Sequence, residues 1–346
     1  MASIRDVAKL AGVSPSTVSR VMNGTANVDE EKKRRVYEAI RETGFRPNEL
    51  ARALFRKASK IIGIIVPNIE NPFFSELAHA VEEEAYRYGS RILLCSSNNN
   101  SEKEKSNIEM LSQMKADGII LVTHNSDTDS FAAGLEMPVI AVDRKAGSGN
   151  ETAFIEADHF RGGYIAMEHM IQCGCRHIVC MRGPLKLTSG RRRFRGCEAA
   201  ARDYGVQVQY IGTEYNFSDG LTAAEELLRL YPDVDGIIAA NDIVALSVYK
   251  VLSRHGIRVP EQVQLIGFDD IALGSLTTPE LTTVSQPLEK MGHLAVDVIQ
   301  KVRNGEDYEK NIMLDVHLVP RETTRMKKEP DISGPVSARK KKETGE

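Results

Sequence analysis

The sequence lacks long apolar runs, so no part of it is expected to span a membrane. A membrane-spanning helix needs about 20 consecutive apolar residues, and no stretch of the 346-residue chain approaches that length. The first ten residues, MASIRDVAKL, also lack the apolar core of a signal peptide, so we expect no export. Cysteine is scarce, and five cysteines, an odd number, fit a reduced compartment better than a disulfide framework. These absences predict a cytoplasmic protein with no membrane partner.

An excess of either charge is also nearly absent, but the average conceals an asymmetry. The formal net charge is only −3, which by itself gives no sign of a nucleic-acid partner. Residues 1–59, however, hold twelve Lys or Arg and seven Asp or Glu, a net charge of +5, whereas the remainder carries −8. A basic head on an acidic body suggests that one end of the chain binds a polyanion.

The head has the pattern of short helices. The segment SIRDVAKLAG has apolar residues near helical spacing and closes at a glycine, and SPSTVSRVMNG begins with Ser14 as an N-cap and Pro15 at the first helical position. Two helices joined in this way predict a DNA-binding helix-turn-helix. Ser16 and Thr17 are short enough to approach base edges, and Arg20 can pair with guanine through both forks of its guanidinium. The alternative is a small helical bundle on which these residues are solvated.

From residue 60 onward, short apolar strands alternate with amphipathic helices. We predict ten strands, the first KIIGIIV and the last TTVSQ, with helices between most of them. This alternation is typical of parallel sheets covered by helices on both faces, and ten strands favour two Rossmann-like layers over one sheet. The tail, residues 325–346, is polar and broken by Pro and Gly, which predicts disorder.

Polar and aromatic side chains follow several of the predicted strands at their carboxyl ends, where two α/β lobes form a ligand cleft. A sugar has hydroxyl rims and apolar C–H faces, so a tight site combines charged or amide groups with aromatic planes. The candidate ligand-binding residues are Asn71, Phe73, Phe74, Asp143, Arg144, Arg191, Phe217, Asn241, Asp269 and Gln286. The simpler alternative is that NPFF begins a helix with core Phe and that the Asp and Asn residues cap helices. The position of the whole set at strand ends favours a sugar site.

The segments IRDVAKLAGVSPSTVSRVMNG and RRVYEAIRETGFRPNELARAL resemble the N-terminal signature of the lac-repressor (LacI) family of bacterial regulators. The resemblance is almost continuous over residues 3–54. It implies major-groove contacts by Pro15, Ser16 and Arg20, and positions nearer the phosphates for Thr17, Ser19 and Asn23. Residues 47–59 would correspond to the hinge helix of the family, which folds on the operator when paired with a second copy. Leu54 would wedge into the minor groove there and bend the duplex.

The body, residues 60–324, resembles the type I periplasmic sugar-binding fold that this family shares. The similarity is closest to ribose-operon repressors and to ribose-binding protein, in motifs such as GPLKLT, GFDDI and LTTVSQP. That fold crosses three times between its lobes, and we expect the crossings near residues 159, 288 and 320. The expected domains are a helix-turn-helix head 1–46, a hinge 47–59, a first lobe 60–159 and 288–319, a second lobe 160–287 and 320–324, and a disordered tail 325–346.

The resemblance implies a homodimeric repressor of a sugar-utilisation operon. Double-stranded operator DNA would be released when ribose or a close relative binds between the lobes. Two alternatives stay open: a different small effector, such as a hexose or a purine, and a catabolite-type regulator controlled by a phosphorylated carrier protein. A dimer is favoured because the tail lacks the leucine heptads of a tetramer-forming coil.

Enzyme and metal chemistry have weak support. Asp269-Asp270 is a pair of carboxylates without a nucleophile or a second acidic pair, so we expect no catalysis. The stretch HMIQCGCRHIVC contains residue types that bind zinc, but Cys180 falls inside an apolar strand. We therefore expect no metal and no other cofactor.

Overall fold

The computed structural model describes residues 2–23, 28–45, 59–123, 134–144 and 151–325. The expected hinge helix lies outside these ranges except for Ser59, and so does Leu54. The expected disordered tail lies outside them except for Arg325. Both therefore stay predictions. Within the described ranges, no helix is long and apolar enough to cross a membrane.

Three short helices form the described part of the head: α1 (Ile4–Ala11), α2 (Pro15–Asn23) and α3 (Glu30–Thr43). α1 begins after Ser3, which exchanges hydrogen bonds with Asp6 in a capping box, and it ends at Gly12, whose φ of 63° favours glycine. Buried apolar side chains from all three helices form one core: Val7, Ala8, Ala11, Val18, Val21, Val36 and Ala39. This core holds α2 against the other two helices and leaves its opposite face in solvent.

The body contains two sheets, each with six strands among the described residues. The first sheet consists of β1 (Ile61–Val66), β2 (Arg91–Ser96), β3 (Gly118–Leu121), β4 (Val139–Val142), β5 (Ala153–Ala157) and β11 (Asn311–Leu314). Its order is β11-β5-β4-β3-β1-β2, and all neighbours are parallel. The helices that pack on it are α4 (Pro72–Arg87), α5 (Ser101–Gln113) and α10 (Leu288–Asn304).

The second sheet has the same strand arrangement as the first, except that one of its edge strands is antiparallel. It consists of β6 (Ile178–Arg182), β7 (Val208–Gly212), β8 (Gly236–Ile238), β9 (Gln264–Asp269), β10 (Thr282–Ser285) and β12 (His317–Val319). Its order is β12-β10-β9-β8-β6-β7, with β12 antiparallel to β10. The helices that pack on it are α6 (His159–Gln172), α7 (Thr188–Asp203), α8 (Phe217–Leu230) and α9 (Asp242–Arg254). A short 3₁₀ helix, Ala272–Leu276, follows β9.

Burial on both faces explains why the strand sequences are almost continuously apolar. Five of the six residues of β1, IIGIIV, are buried, and all six residues of β9, QLIGFD, are buried. Helices on both sides of a parallel sheet require this pattern, because neither face meets water. The polar residue Asp269 at the end of β9 is therefore an exception whose position calls for a specific partner.

The chain passes between the lobes three times, and the third passage lies earlier than predicted. The first passage follows β5 and the second follows β10. The third lies between Leu314 and His317 rather than near residue 320, because β12 pairs with β10 and places His317 opposite Ser285. Among the described residues, the first lobe thus contains 59–123, 134–144, 151–158 and 287–314, and the second contains 159–286 and 317–325. The ten-strand prediction omits β11 and β12, which are edge strands with mostly exposed or half-buried residues and therefore lack the continuous apolar run of the inner strands.

Candidate functional site

The exposed face of α2 carries the residues expected to read DNA. Pro15, Ser16 and Arg20 are exposed, whereas Val18 and Val21 are buried in the core of the head. The helical period produces this separation, because residues four apart share one face. The side chains expected in the major groove therefore share the solvent side of the helix.

Local hydrogen bonds order the first turn of α2. The Ser14 hydroxyl accepts the backbone N–H of Thr17 at 3.2 Å, and it lies 2.8 Å from the Ser16 hydroxyl and 2.9 Å from the Thr17 hydroxyl. Thr17 and Ser19 are half-buried, and Asn23 is the last residue of the helix. Ser14 thus caps α2 as the sequence pattern indicates.

The first lobe contributes the loop after β1 and the start of α4. Asn71 caps α4, its Oδ1 accepting the Phe73 N–H at 3.1 Å. The rings of Phe73 and Phe74 pack edge to face, 5.2 Å apart, and both are buried in the core of the first lobe. Asn71 and Phe74 line a cavity of about 90 Å³ between the lobes, while Phe73 is not among its lining residues. The structure thus places one of the two predicted aromatic planes at the cavity and the other in the core.

Asp143 and Arg144 follow β4 and are both buried. Asp143 has a φ of 60°, a left-handed conformation that turns the chain at the strand end. The Arg144 guanidinium lies 5.4 Å from the centre of the Phe74 ring and 5.9 Å from that of Tyr215, so an aromatic ring of each lobe flanks it. Burial opposes ionisation of Asp143, but the neighbouring His159, Arg144 and Arg193 outweigh burial and lower its pKa to about 2.

The structure does not bring Arg191 to this group. Its guanidinium donates hydrogen bonds to the backbone oxygen of Leu185 and, at 3.3 Å, to the hydroxyl of Thr188. Both partners belong to the loop that leads into α7 or to the first residue of that helix. Arg191 therefore ties this local turn together, and the predicted role in the cleft falls to another arginine of the same helix.

Arg193, two residues after Arg191 on α7, lies among the strand-end residues of the second lobe. It donates to the Ala240 backbone oxygen at 2.9 Å, to His159 Nδ1 at 3.3 Å and to Asp269 Oδ1 at 3.4 Å. Its guanidinium also stacks 3.6 Å from the centre of the Phe268 ring. Arg193 thereby connects the carboxyl ends of β8 and β9 with the start of α6.

Tyr215, rather than the predicted Phe217, lines the cavity. Phe217 is the first residue of α8 and 41% exposed, and its backbone oxygen accepts a hydrogen bond from Ser247. Tyr215, two residues earlier, lines the 90 Å³ cavity and a smaller one of about 20 Å³ beneath it. The Arg193 guanidinium lies 5.7 Å from the centre of its ring. The aromatic plane of the second lobe is therefore Tyr215, and burial raises the pKa of its hydroxyl.

Asp269, Gln286 and Asn241 end neighbouring strands of the second sheet. The Gln286 amide donates to Asp269 Oδ1 at 2.7 Å. Burial raises the pKa of Asp269 to about 8, because the contact with Arg193 offsets the loss of solvent only in part. Asn241 caps α9, its Oδ1 accepting the Val244 N–H at 2.9 Å. Asn241 therefore follows β8 and caps α9 with the same side-chain amide.

The lobes also contact each other outside the cavity. The Ala272 N–H of the second lobe donates to Glu76 Oε1 of the first at 3.0 Å. Arg192 forms an ion pair with Glu156 at 2.6 Å, and Ile271 is buried within the core of the first lobe. These contacts join the two lobes beside the cavity.

Five buried polar atoms in the cleft make no hydrogen bond of standard geometry to any described residue. They are Asp143 Oδ1, Arg144 Nε, His159 Nε2, Tyr215 Oη and Gln286 Oε1. Asp143 lies 3.3 Å from both His159 Nε2 and Arg144 Nε, but these contacts are too bent to be hydrogen bonds. Since buried polar groups are nearly always paired, this group is suited to a ligand that both donates and accepts hydrogen bonds.

Family models match both parts of the chain. Residues 3–48 match the model for bacterial regulatory proteins of the lacI family, and residues 59–322 match the model for periplasmic binding proteins and the sugar-binding domain of the LacI family. The ribose operon repressor of Halalkalibacterium halodurans is 35% identical over 327 residues, which span 94% of this chain and 98% of that protein. The predicted family is confirmed.

Solved structures extend the likeness to the whole fold. The lac repressor dimer bound to operator and the anti-inducer ONPF matches with a TM-score of 0.83 and 26% identity, covering 93% of this chain and 98% of that one. A LacI family regulator from Enterococcus faecium with bound ribose matches with a TM-score of 0.70 and 27% identity, covering 78% of this chain and all of that one. The predicted fold class is confirmed, as are operator DNA, a sugar effector and a second copy as the partners typical of such proteins. The chain belongs to the LacI family of transcriptional regulators, as a DNA-binding repressor with a sugar-binding domain.

Proposed function

We propose that this protein represses a sugar-utilisation operon in the cytoplasm and is released from its operator by ribose or a close relative bound in the cleft. The observation that carries the proposal is a set of five buried polar atoms from both lobes that make no hydrogen bond among the described residues. Two of their residues, Arg144 and Tyr215, line the cavity that Phe74 also lines. A pentose offers hydroxyl groups that donate and accept, and C–H faces that stack on aromatic rings. The ribose operon repressor relative and the ribose-bound neighbour support the same effector class.

Each proposed contact has a chemical reason. Asp143 is ionised at neutral pH, because its pKa is lowered to about 2, and it can accept from two adjacent hydroxyls. Arg144 and Arg193 supply donors in a rigid fork. Tyr215 and Phe74 supply the two apolar planes, while Asn71, Asn241, Asp269 and Gln286 complete the polar rim. The remaining predicted residues, Phe73, Arg191 and Phe217, have core or local roles and are not included in the proposed contacts.

On the DNA side, Pro15, Ser16 and Arg20 are proposed to enter the major groove of each half-site, with Thr17, Ser19 and Asn23 nearer the phosphates. Leu54 of each hinge is proposed to enter the minor groove at the centre of the operator. Closure of the lobes on the sugar would shift the dimer interface and melt the paired hinge helices. A coupling free energy of about 1–3 kcal/mol, typical of such systems, would lower operator affinity about 5- to 150-fold.

The rival effectors differ in what they require of the cleft. A hexose needs more room than a pentose, and a purine needs hydrogen bonds along one planar edge rather than around a ring. A phosphorylated carrier protein needs no internal cleft. The cavity of about 90 Å³ favours a ligand on the scale of a small sugar, since one water needs about 10–15 Å³ on the same measure.

The decisive experiment is calorimetric titration of the full-length protein with ribose, allose, fructose and hypoxanthine. We expect ribose or allose to bind most tightly, and a gel-shift assay to show weaker operator binding in the presence of that sugar. Arg144→Ala should abolish sugar binding and keep operator binding, whereas Arg20→Ala should weaken operator binding and keep sugar binding. Tight binding of hypoxanthine alone would assign a purine effector instead, and stronger operator binding with ribose would reverse the proposed sign.

A further inference from the structure

His159 lies at the first passage between the lobes and contacts both halves of the charged cleft. It begins α6 and is fully buried, and its ring faces the Phe268 ring at 6.1 Å. Its Nδ1 accepts the Nε–H of Arg193 at 3.3 Å, and its Nε2 lies 3.3 Å from Asp143 Oδ1. No sequence motif singled this residue out.

The contact with Arg193 fixes the protonation state of the imidazole. Arginine only donates hydrogen bonds, so Nδ1 must carry a lone pair, and the proton of a neutral ring then lies on Nε2. His159 Nε2 lies 3.3 Å from Asp143 Oδ1, but the contact is too bent to be a hydrogen bond, so this N–H has no acceptor among the described residues. Arg193 of the second lobe thus holds the ring through Nδ1 and leaves the Nε2–H beside the carboxylate of the first lobe, where a ligand can accept it.

We propose that His159, as the neutral Nε2–H imidazole, is the positioning residue that sets Arg193 and Asp143 for the effector. This inference rests on the proposed function as far as the sugar is concerned. Protonation of Nδ1 would remove the acceptor for Arg193 and place two cations in contact. The side chains would then separate, and the hydroxyl contacts on both sides of the ligand would lose their alignment.

The electrostatic surroundings favour the neutral ring. Burial lowers the pKa of His159, and Arg193 lowers it further, while Asp143 and Glu156 act in the opposite direction. Asp143, with a pKa of about 2, stays ionised throughout the range in which histidine titrates. Asp269, which contacts Arg193 from the far side, has a pKa of about 8 and stays mostly protonated up to pH 7. Asp242, which interacts with Asp269 and has a pKa of about 6, also titrates between pH 5 and 7, so the imidazole is isolated by comparing wild type with His159 variants that keep Asp242.

The test compares wild type with His159→Asn and His159→Leu, all full-length, in ribose titrations at pH 5, 6 and 7. Asparagine places an oxygen near the position of Nδ1 and does not titrate in this range, whereas leucine fills the space without an acceptor. Because the pKa of His159 is lowered, the ring stays neutral near pH 7, and we expect wild-type affinity to weaken only toward the acidic end of this range. We expect His159→Asn to stay within about threefold of wild type at pH 7 with a flat profile, and His159→Leu to bind at least tenfold more weakly at every pH. Binding by His159→Leu within about threefold of wild type at pH 7, or weaker binding by His159→Asn than by His159→Leu, would overturn the proposal.

A measurement without sugar separates this inference from the effector assignment. Histidine-selective ¹⁵N spectra of the full-length protein, with the His159 signal identified by its loss in His159→Asn, report the tautomer directly. We expect the Nε2–H form at pH 7, and melting temperatures that fall more steeply toward pH 5 in wild type than in His159→Asn. If ribose does not bind but the tautomer is Nε2–H, the effector assignment fails and the positioning role stands. If the Nδ1–H form is observed, the positioning role is wrong whatever the effector.

Discussion

Arg193, rather than Arg191, makes the buried contacts near the cleft, and this leads to a stability prediction that does not depend on the effector. The change is Arg193→Ala, with Arg191→Ala as the matched control two residues away on the same helix. Arg193 donates to the Ala240 carbonyl, His159 and Asp269, and it stacks on Phe268. Arg191 contacts only the turn before α7 and its first residue among the described residues.

The magnitude follows from what truncation leaves behind. Removing one member of a buried, hydrogen-bonded charge pair typically destabilises a protein by about 3–5 kcal/mol. Asp269 is mostly protonated at pH 7, because its pKa is about 8, so the uncompensated charge is partial and the lower end applies. We therefore expect a loss of about 3 kcal/mol, of which unpaired acceptors on Ala240 and His159 contribute the larger share. At roughly 2–4 °C per kcal/mol for a domain of this size, the melting temperature should fall by about 6–12 °C.

Differential scanning calorimetry of the full-length variants at pH 7 measures this effect. Arg191→Ala should melt within about 2 °C of wild type, because substitutions outside buried networks usually change stability by less than about 0.5 kcal/mol. Arg193→Lys should fall between the two, since lysine keeps the charge but not the fork of donors. A melting temperature of Arg193→Ala within 2 °C of wild type, or equal losses for both alanine variants, would refute the assigned contacts.

Three further predictions follow from other features. The pKa of Asp269 is raised from 3.8 to about 8, so the folded protein keeps a proton that the unfolded chain releases, and stability falls as pH rises from about 4 to 8. Asp269→Asn should remove this pH dependence of the melting temperature and melt higher than wild type at pH 7. An unchanged pH dependence would contradict the assignment. Gly163→Ala would place its Cβ 1.9 Å from the backbone oxygen of Arg193, so it should destabilise by about 3 kcal/mol or more in urea unfolding, whereas Gly212→Ala, with nothing within 4 Å, should not. Arg20→Ala should weaken operator binding about 5- to 150-fold in gel shifts, the equivalent of about 1–3 kcal/mol, while sugar titrations stay unchanged.

The fold could be predicted largely from the sequence, because its main signals are local. Apolar strands and amphipathic helices can each be recognised from their own sequence period. Helix starts are also marked locally, because four helices that follow strands begin with an asparagine cap: Asn71, Asn100, Asn216 and Asn241. The part that failed is the part that depends on pairing between distant segments. β12 is three residues long, and only its antiparallel partner β10 shows that it belongs to the second lobe. The pairing of β12 with β10 cannot be predicted from the local sequence pattern of β12.

Arg191 and Phe217 are predicted site residues that do not line the cavity, and their positions have a common physical origin. Arg191 and Arg193 lie two residues apart on α7, and a helix turns about 100° per residue, so their side chains leave it on nearly opposite sides. Choosing between them requires knowing which face of α7 packs on the sheet, and three consecutive arginines give no apolar stripe to indicate it. For Tyr215 and Phe217 a local signal existed. Asn216 accepts the N–H of Asp219 at 2.9 Å, the pattern of an N-cap.

That cap fixes where α8 begins, and the start of the helix decides which aromatic ring faces the cleft. A residue before the cap still follows the direction of β7, whose carboxyl end points at the opposite lobe, so Tyr215 is carried toward Arg144. A residue after the cap turns away with the first helical turn, and Phe217 is accordingly 41% exposed. Predicting which aromatic residue faces the cleft therefore requires the exact first residue of α8, and the position where β7 ends is not sufficient. Moving the cap should move the aromatic ring: with Asn216→Ala, which removes the amide cap and about 1 kcal/mol of helix stability, we expect sugar affinity to weaken severalfold. Because Asn216 also lines the cavity, Asn216→Ser, which keeps a capping oxygen but loses the amide, is the control and should retain affinity. Unchanged affinity of Asn216→Ala in calorimetric titration, with a melting temperature lowered as expected, would show that Tyr215 is held by its own packing rather than by the helix start.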